Sequence, residues 1–269
     1  MGAPRLDRGG CPRQFLRRRG SMCAELGIPS PVLLVVAHPD DESWIFGPLA
    51  VAIRRAGGRV HLLCATDGGA WRPRRGPRVP EGPEAVVGVC AMRARERRRA
   101  ARVLGLGEVL APGLADGALA EAPEALAHAL RHALVRLRPA TLLTHAPDGD
   151  YGHPDHAALW AAAARLVERE PRTVRAFGWP EWRDGMLDPV RTHLRRAGLT
   201  LVPAGTARRP EGVVVREPRA LEPAALRDAR RALAAHRSQL GARPPGDLLG
   251  RGVVSRWWRT QRFRMVRRA

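Results

Sequence analysis

At 269 residues and 45% apolar content the chain fits a soluble globular protein with one main α/β domain and a sizeable core. Its net charge of +20 rests on Arg alone, with Lys and Asn absent, so a coding bias toward Ala, Arg, Gly and Pro explains much of the excess and the charge selects neither nucleic acid nor membrane as a partner. No run approaches the ~20 apolar residues of a membrane-crossing helix, no apolar segment follows the basic N-terminus as in a secretory leader, and Cys11, Cys23, Cys64 and Cys90 form no CxxC pair, which together point to reduced thiols in a cytoplasmic protein.

Residues 1–29 are rich in Arg, Gly and Pro without periodicity and are expected to form a disordered extension, with Met22 as an alternative start. From Pro31 the pattern alternates. It predicts a strand over 31–37, a helix over 42–56, a strand over 59–65, a helix over 84–104, a short strand over 108–110, a helix over 123–138 and a strand over 140–145. A helix opens at Pro154, where proline suits the first turn, followed by a strand over 173–177, edge strands over 199–202 and 212–215, and an Ala-rich helix over 222–240. This order predicts a Rossmann-like, mostly parallel sheet flanked by helices over 30–242, with antiparallel edge strands near the C-terminus. The segment 243–269 mixes Arg with Trp257 and Trp258; it suits phosphate contact and base stacking, but packing on the domain or partial disorder is the favoured reading. The Gly-, Pro- and Arg-rich loop 68–83 is a candidate rim over a site at the strand ends, and no glycine pattern supports a nucleotide-phosphate cradle.

The run Val32-Leu33-Leu34-Val35-Val36 reads as a strand buried on both faces, and it ends in Ala37-His38-Pro39-Asp40-Asp41-Glu42. An imidazole and a carboxylate three residues apart in a turn can converge on one divalent ion. A third ligand is offered by Tyr151-Gly152-His153-Pro154-Asp155-His156, which follows the strand over 140–145 and so lies near the same sheet edge. Either motif alone is commonplace. Together, each after a strand and before a helix, they suggest two His and one carboxylate with an open position for water, the arrangement of a hydrolytic zinc site.

These two segments resemble the signatures of the LmbE-like, or PIG-L-type, zinc-dependent de-N-acetylases, which act on GlcNAc in mycothiol, bacillithiol, GPI and antibiotic pathways. Thr66-Asp67-Gly68, Arg93-Ala94-Arg95-Glu96, Asp116-Gly117 and His236-Arg237-Ser238-Gln239 are similar to family features in the same order, over about residues 31–240. The resemblance implies that His38, Asp41 and His156 hold one Zn²⁺ per chain, and the same donors accept Fe²⁺ or Co²⁺. It implies Asp40 as the general base toward the attacking water and a protonated His153 as the group that stabilises the oxyanion. Asp155 would orient a ligating imidazole, and Tyr151 would assist polarisation of the substrate carbonyl. Glu42 is read as capping the helix after the motif, and Arg93 with Glu96 as an i,i+3 salt bridge bracing the site. For substrate contact, Asp67 could meet a sugar hydroxyl, while Trp44 and Trp71 could stack on a sugar or an aromatic aglycone. Trp179 and Trp182 could line the same cleft.

The implied function is a hydrolase that removes an N-acetyl or N-acyl group from a GlcNAc-like amino sugar. The acceptor would be a glycoconjugate or secondary-metabolite precursor such as a glycopeptide pseudoaglycone, a thiol pseudodisaccharide or an aminoglycoside. No specific nucleic acid and no membrane span are expected, and homo-oligomerisation is compatible with the sequence. The alternative is a polyanion- or nucleic-acid-binding protein that retains a relic metal site. A two-metal phosphoesterase would need bridging carboxylates that the His/Asp/His set does not supply.

Overall fold

The computed structural model describes residues 27–70, 82–170, 172–196, 198, 200–203, 213–216, 222–250 and 252–267. Residues 1–26 of the expected extension, most of the candidate rim loop and Trp71 lie outside the described residues.

Strand β1 (Val32–Val36) pairs in parallel with β2 (Val60–Cys64) on one side and with β4 (Thr141–Leu143) on the other. Beyond β2 lies β3 (Val109–Leu110), and beyond β4 lies β5 (Ala176–Pro180), both parallel to their neighbours. Strand β7 (Phe263–Arg267) runs antiparallel to β5, and β6 (Val213–Arg216) antiparallel to β7, giving the order β3-β2-β1-β4-β5-β7-β6. The chain therefore reverses its direction of growth across the sheet between β1 and β4. In doubly wound sheets that reversal opens a crevice at the carboxyl ends of the two strands, where ligands bind.

Because successive strand residues face opposite sides, β1 feeds both halves of the core. Val32, Leu34 and Val36 pack with Leu49 and Ile53 of α2 (Gly47–Arg55) and with Ala229 and Leu233 of α7 (Pro223–Leu233). Leu33 and Val35 pack with Leu126 and Leu130 of α4 (Pro123–Leu137) and with Leu159 and Leu166 of α5 (Pro154–Arg169). The long helix α3 (Pro83–Leu104) joins the first layer through Ala100 and Leu104, which meet Val51, Ala225 and Ala232, and α6 (Asp188–Arg196) follows β5. No helix among the described residues is long and apolar enough to cross a membrane.

Four sequence expectations differ from the fold, each for a physical reason. The single helix over 42–56 is broken into α1 (Asp41–Trp44) and α2. Pro48 has no N–H to give the Trp44 carbonyl four residues back, so a continuous ladder cannot form. That carbonyl instead accepts the Trp258 indole N–H at 2.9 Å, and the Ile45 carbonyl accepts Trp257 Nε1 at 2.9 Å and Gln261 Nε2 at 2.8 Å. These donors belong to α9 (Val253–Arg259) and the turn after it, so the C-terminal segment occupies the helix break with its Trp side chains buried. The helix over 222–240 is likewise two pieces, α7 and α8 (Arg237–Leu240), because Glu96 accepts the Ser238 N–H at 2.8 Å and its hydroxyl at 2.6 Å and starts a new helix there. Strand β5 lies three residues later than expected. Gly178 lets β7 pass close, since a Cβ there would strike Met265, and the antiparallel pairing Pro180↔Phe263 carries the strand through the proline. Finally, residues 200–202 form no strand; Val202 N–H instead donates to the Gly152 carbonyl at 2.9 Å.

Candidate metal centre

The turn after β1 is set by backbone contacts. Asp40 has φ 123°, a conformation rare for any residue but glycine. Its carbonyl accepts Ser43 N–H at 2.9 Å and Trp44 N–H at 3.0 Å, which starts α1 and turns Asp41 back toward His38. Asp41 Oδ2 accepts the His38 N–H at 2.9 Å, and Oδ1 accepts the Trp44 indole at 3.0 Å. From the other strand, His153 caps α5: its Nδ1 accepts the Asp155 N–H at 3.2 Å, and Pro154 opens the first turn, which carries His156 one turn into the crevice.

These turns bring three donor atoms together. His38 Nδ1 lies 3.2 Å from His156 Nε2, and Asp41 Oδ2 lies 3.5 Å from the first and 3.4 Å from the second. The far nitrogens are both committed. His38 Nε2 lies 3.1 Å from Asp155 Oδ2 and 3.0 Å from Asp116 Oδ1, and His156 Nδ1 lies 2.9 Å from Asp150 Oδ2. Carboxylates accept only, so the far nitrogens carry the protons and the near ones aim lone pairs at each other and at a carboxylate oxygen. Three converging lone pairs repel unless a proton or a metal cation lies among them. Tetrahedral donors about 2.0–2.1 Å from zinc stand about 3.3 Å apart, so the spacing fits one divalent ion with two nitrogen donors and one oxygen donor.

Other donor groupings also lie within 4.8 Å of one another: His38 with His153 and His156, Asp41 with His145 and His156, and His38 with Asp116 and Asp155. A hydrogen bond disqualifies one of them: the single lone pair of His145 Nε2 is already taken by the Ala37 N–H at 2.9 Å. Asp155 accepts Gly117 N–H at 2.7 Å and Leu119 N–H at 3.0 Å, which fixes it as the partner of His38 Nε2. His153 is discounted because its Nδ1 caps α5, which puts the proton on Nε2.

Electrostatics follow from the same contacts. Burial alone would lower His38 and His156, but hydrogen bonds that His38 donates to Asp116, Asp155 and Asp41 take it well above its ordinary value, and Asp41 and Asp150 take His156 to about 9. Burial would raise Asp41 and Asp150, yet His156 and His38 hold Asp41 low, and His145 and His156 do the same to Asp150. The pocket is built to hold positive charge. Asp40 behaves oppositely: burial pushes its carboxyl up to about 7 against the pull of Arg93, whose Nη2 lies 3.7 Å from Oδ2.

Several expected site residues stand elsewhere than the sequence suggested. His153 accepts the Asp155 N–H at Nδ1, and burial, then the charges on His156 and His38, push the ring down to about 2, against the expectation of a protonated imidazole. Trp44 is 2% exposed and stacks on Tyr151 and Trp182, which makes it a wall of the core rather than a sugar platform. Asp67 is engaged by Arg97 at 2.7 Å. Arg93 and Glu96 do not pair: Arg93 donates to the Pro39 carbonyl at 2.6 Å and the Gly68 carbonyl at 3.0 Å, while Glu96 starts α8. Glu42 makes no ordinary helix cap. Its Oε2 accepts the Asp40 N–H at 3.0 Å and its Oε1 meets His236 Nε2 at 2.7 Å. Tyr151 sits over the site with its ring 5.3 Å from that of His156. Trp179 is buried in the core, and Trp182 donates to Asp150 Oδ1 at 2.8 Å.

Sequence reasoning missed Asp150 and His145. Asp150 Oδ2 accepts from His145 Nδ1 at 2.7 Å as well as from His156, and at φ 64° it takes a left-handed turn that Asp tolerates well. The Asp148-Gly149-Asp150 run just before the second motif was the available signal.

A mostly parallel sheet with a His/Asp/His donor set at its switch point defines a Rossmann-like α/β protein with a candidate mononuclear metal centre. Residues 33–167 match the profile of the GlcNAc-PI de-N-acetylase (PIG-L) family, and the chain belongs to that family. It is 30% identical over 154 residues to a 1D-myo-inositol 2-acetamido-2-deoxy-alpha-D-glucopyranoside deacetylase of Rhodococcus jostii, covering 51% of this chain and 53% of that protein. It is 30% identical over 148 residues to a probable N-acetylglucosaminyl-phosphatidylinositol de-N-acetylase of Schizosaccharomyces pombe, covering 52% and 53%. The chain thus spans about half the length of these curated relatives. The fold is shared with a deacetylase of the teicoplanin biosynthesis pathway (TM-score 0.60, 16% identity, 88% of this chain and 98% of that one). It is shared as well with a conserved protein of Thermus thermophilus (TM-score 0.53, 24% identity, 81% and 83%).

Proposed function

We propose that this protein is a metal-dependent hydrolase that removes an N-acetyl or N-acyl group from a GlcNAc-like amino sugar within a glycoconjugate or secondary-metabolite precursor. The single observation that carries the reading is the convergence of His38 Nδ1, His156 Nε2 and Asp41 Oδ2 within 3.5 Å of one another, each backed by its own hydrogen bonds, beside an aspartate whose carboxyl is raised to about 7. Those three residues would hold one divalent cation, zinc by donor type. When bound there, a divalent cation supplies Lewis-acid polarisation of the amide carbonyl and eases deprotonation of water.

The chain's own residues do the rest. Asp40 takes the proton of the attacking water as oxygen bonds to the acyl carbon, and a base whose pKa lies near neutrality is matched to that transfer. The carbonyl π electrons move to oxygen, and the neutral His153 donates its Nε2–H to the oxyanion. Asp40 then returns its proton to the nitrogen as the C–N bond breaks, releasing acetate and an amine. Asp155 and Asp150 keep His38 and His156 in the tautomers that leave the near nitrogens bare. The described thiols Cys64 and Cys90 are free, in keeping with a cytoplasmic setting. The catalytic unit is taken as about residues 30–242, with 243–269 as its buttress.

The test is amine release from a panel of N-acylated amino sugars with and without chelator. The reading requires chelator-sensitive release from at least one of them and its loss in Asp40→Asn protein that keeps its metal. Release that survives complete metal removal would overturn it.

A further inference from the structure

Asp40 combines a strained backbone with a buried carboxylate, and something must hold it there. Its φ of 123° lies in a region that strains a non-glycine residue and persists only where the surroundings over-determine it. The ψ side is fixed by the start of α1, where Ser43 and Trp44 donate to the Asp40 carbonyl. The φ side depends on the plane of the Pro39–Asp40 peptide, and both polar atoms of that one peptide are gripped by buried charged side chains. Arg93 Nη2 donates to its carbonyl at 2.6 Å, and Glu42 Oε2 accepts its N–H at 3.0 Å.

Glu42 is in turn anchored from far along the chain. It is fully buried, its Oε1 accepts the Ser43 hydroxyl at 2.6 Å, and His236 Nε2 lies 2.7 Å from the same oxygen. His236 is itself fully buried, and its Nδ1 finds no hydrogen-bond partner among the described residues. Burying an imidazole is costly where an apolar residue would not be, and the contact this ring makes in return is the one at Nε2. The break between α7 and α8 brings it inward, with Glu96 starting α8 two residues later.

We propose that His236 is a positioning residue: acting through Glu42, it fixes the Pro39–Asp40 peptide and thereby aims the Asp40 carboxylate. Neither the His236 side chain nor the Glu42 carboxylate need touch substrate or metal. The inference rests on the reading of Asp40 as the base, but its structural half is measurable without turnover.

The experiment compares wild type with His236→Ala, His236→Gln and Glu42→Gln. Gln at 236 offers an N–H where His236 Nε2 stands. Gln at 42 keeps the volume but sets a donor against one of the donors that the carboxylate accepts. Two readouts are taken: amide hydrogen exchange at Asp40 in the chelated protein, and kcat and KM on methyl N-acetylglucosaminide in metal-loaded protein. In His236→Ala the Asp40 amide loses protection and kcat falls about 10²-fold with KM and metal content unchanged, the scale expected when a catalytic group is misplaced by about 1 Å. In His236→Gln both recover most of the way. Should His236→Ala fail to fold, Glu42→Gln against His236→Gln carries the same comparison, with loss in the first and retention in the second. Wild-type kcat in His236→Ala, or an Asp40 amide as protected there as in wild type, overturns the proposal. If wild type releases no amine from the glycoside or the wider panel, the hydrolase reading fails instead, and the exchange measurement still decides whether the clamp exists.

Discussion

Replacing Asp40 with Asn should make the metal-free protein more stable while it removes turnover. Asp40 is 9% exposed, and its carboxyl is raised from the ordinary 3.8 to about 7, first by burial. Between those two values the unfolded chain releases the proton and the folded chain keeps it, so stability falls as pH rises through that window and then levels. A gap of about three pH units corresponds to about 4 kcal/mol. The attraction to Arg93 is already contained in that value, so a gain of about 4 kcal/mol at pH 8 is the working figure. Asn also tolerates positive φ, so the exchange adds no backbone penalty. The assay is guanidinium unfolding of wild type and Asp40→Asn in chelator at pH 4 and pH 8. The two should coincide near pH 4 and separate at pH 8 with the variant more stable. A variant no more stable than wild type at pH 8 would show that the buried carboxylate is not under strain, and the argument for a raised base would fall with it.

Other outcomes follow from the same contacts. His38 is raised well above its ordinary value and His156 to about 9, so protons compete with metal. Zinc affinity, measured by competition titration, should therefore rise with pH below about 9, by up to tenfold per displaced proton per unit. Asp150→Asn removes the partner of both His145 and His156, and a 10- to 100-fold loss of metal affinity, about what such supporting carboxylates contribute, should appear in the same titration. His156→Ala should leave less than one metal per chain by elemental analysis. His153→Ala should keep its metal and lose about 10²–10³-fold in kcat, the usual effect of deleting one oxyanion donor. Trp258→Phe leaves the Trp44 carbonyl without its 2.9 Å donor, and a loss of about 1–3 kcal/mol should appear in denaturant unfolding.

The order of strands and helices was legible because its signals are local: an apolar run for β1 and Pro154 at a helix start. The donor set was legible because each motif follows a strand in a parallel sheet. What escaped were pairings over long sequence distance. Nothing near Pro48 indicates that Trp257 and Trp258 will supply the hydrogen bonds its helix break requires, and nothing near Glu42 points to His236. The pairing of Arg93 with Glu96 failed for the same reason, since correct helical spacing does not disclose that each side chain has a better partner in another element. Trp44 was misplaced because an aromatic after a ligand motif reads alike whether it faces a sugar or a core.

The indoles of Trp257 and Trp258 reach the helix break three residues downstream of Asp41. During synthesis the first motif leaves the ribosome more than two hundred residues before the groups that finish its surroundings. The turn that carries Asp41 therefore stays without the donors to its Trp44 and Ile45 carbonyls until residues 257–261 have left the ribosome.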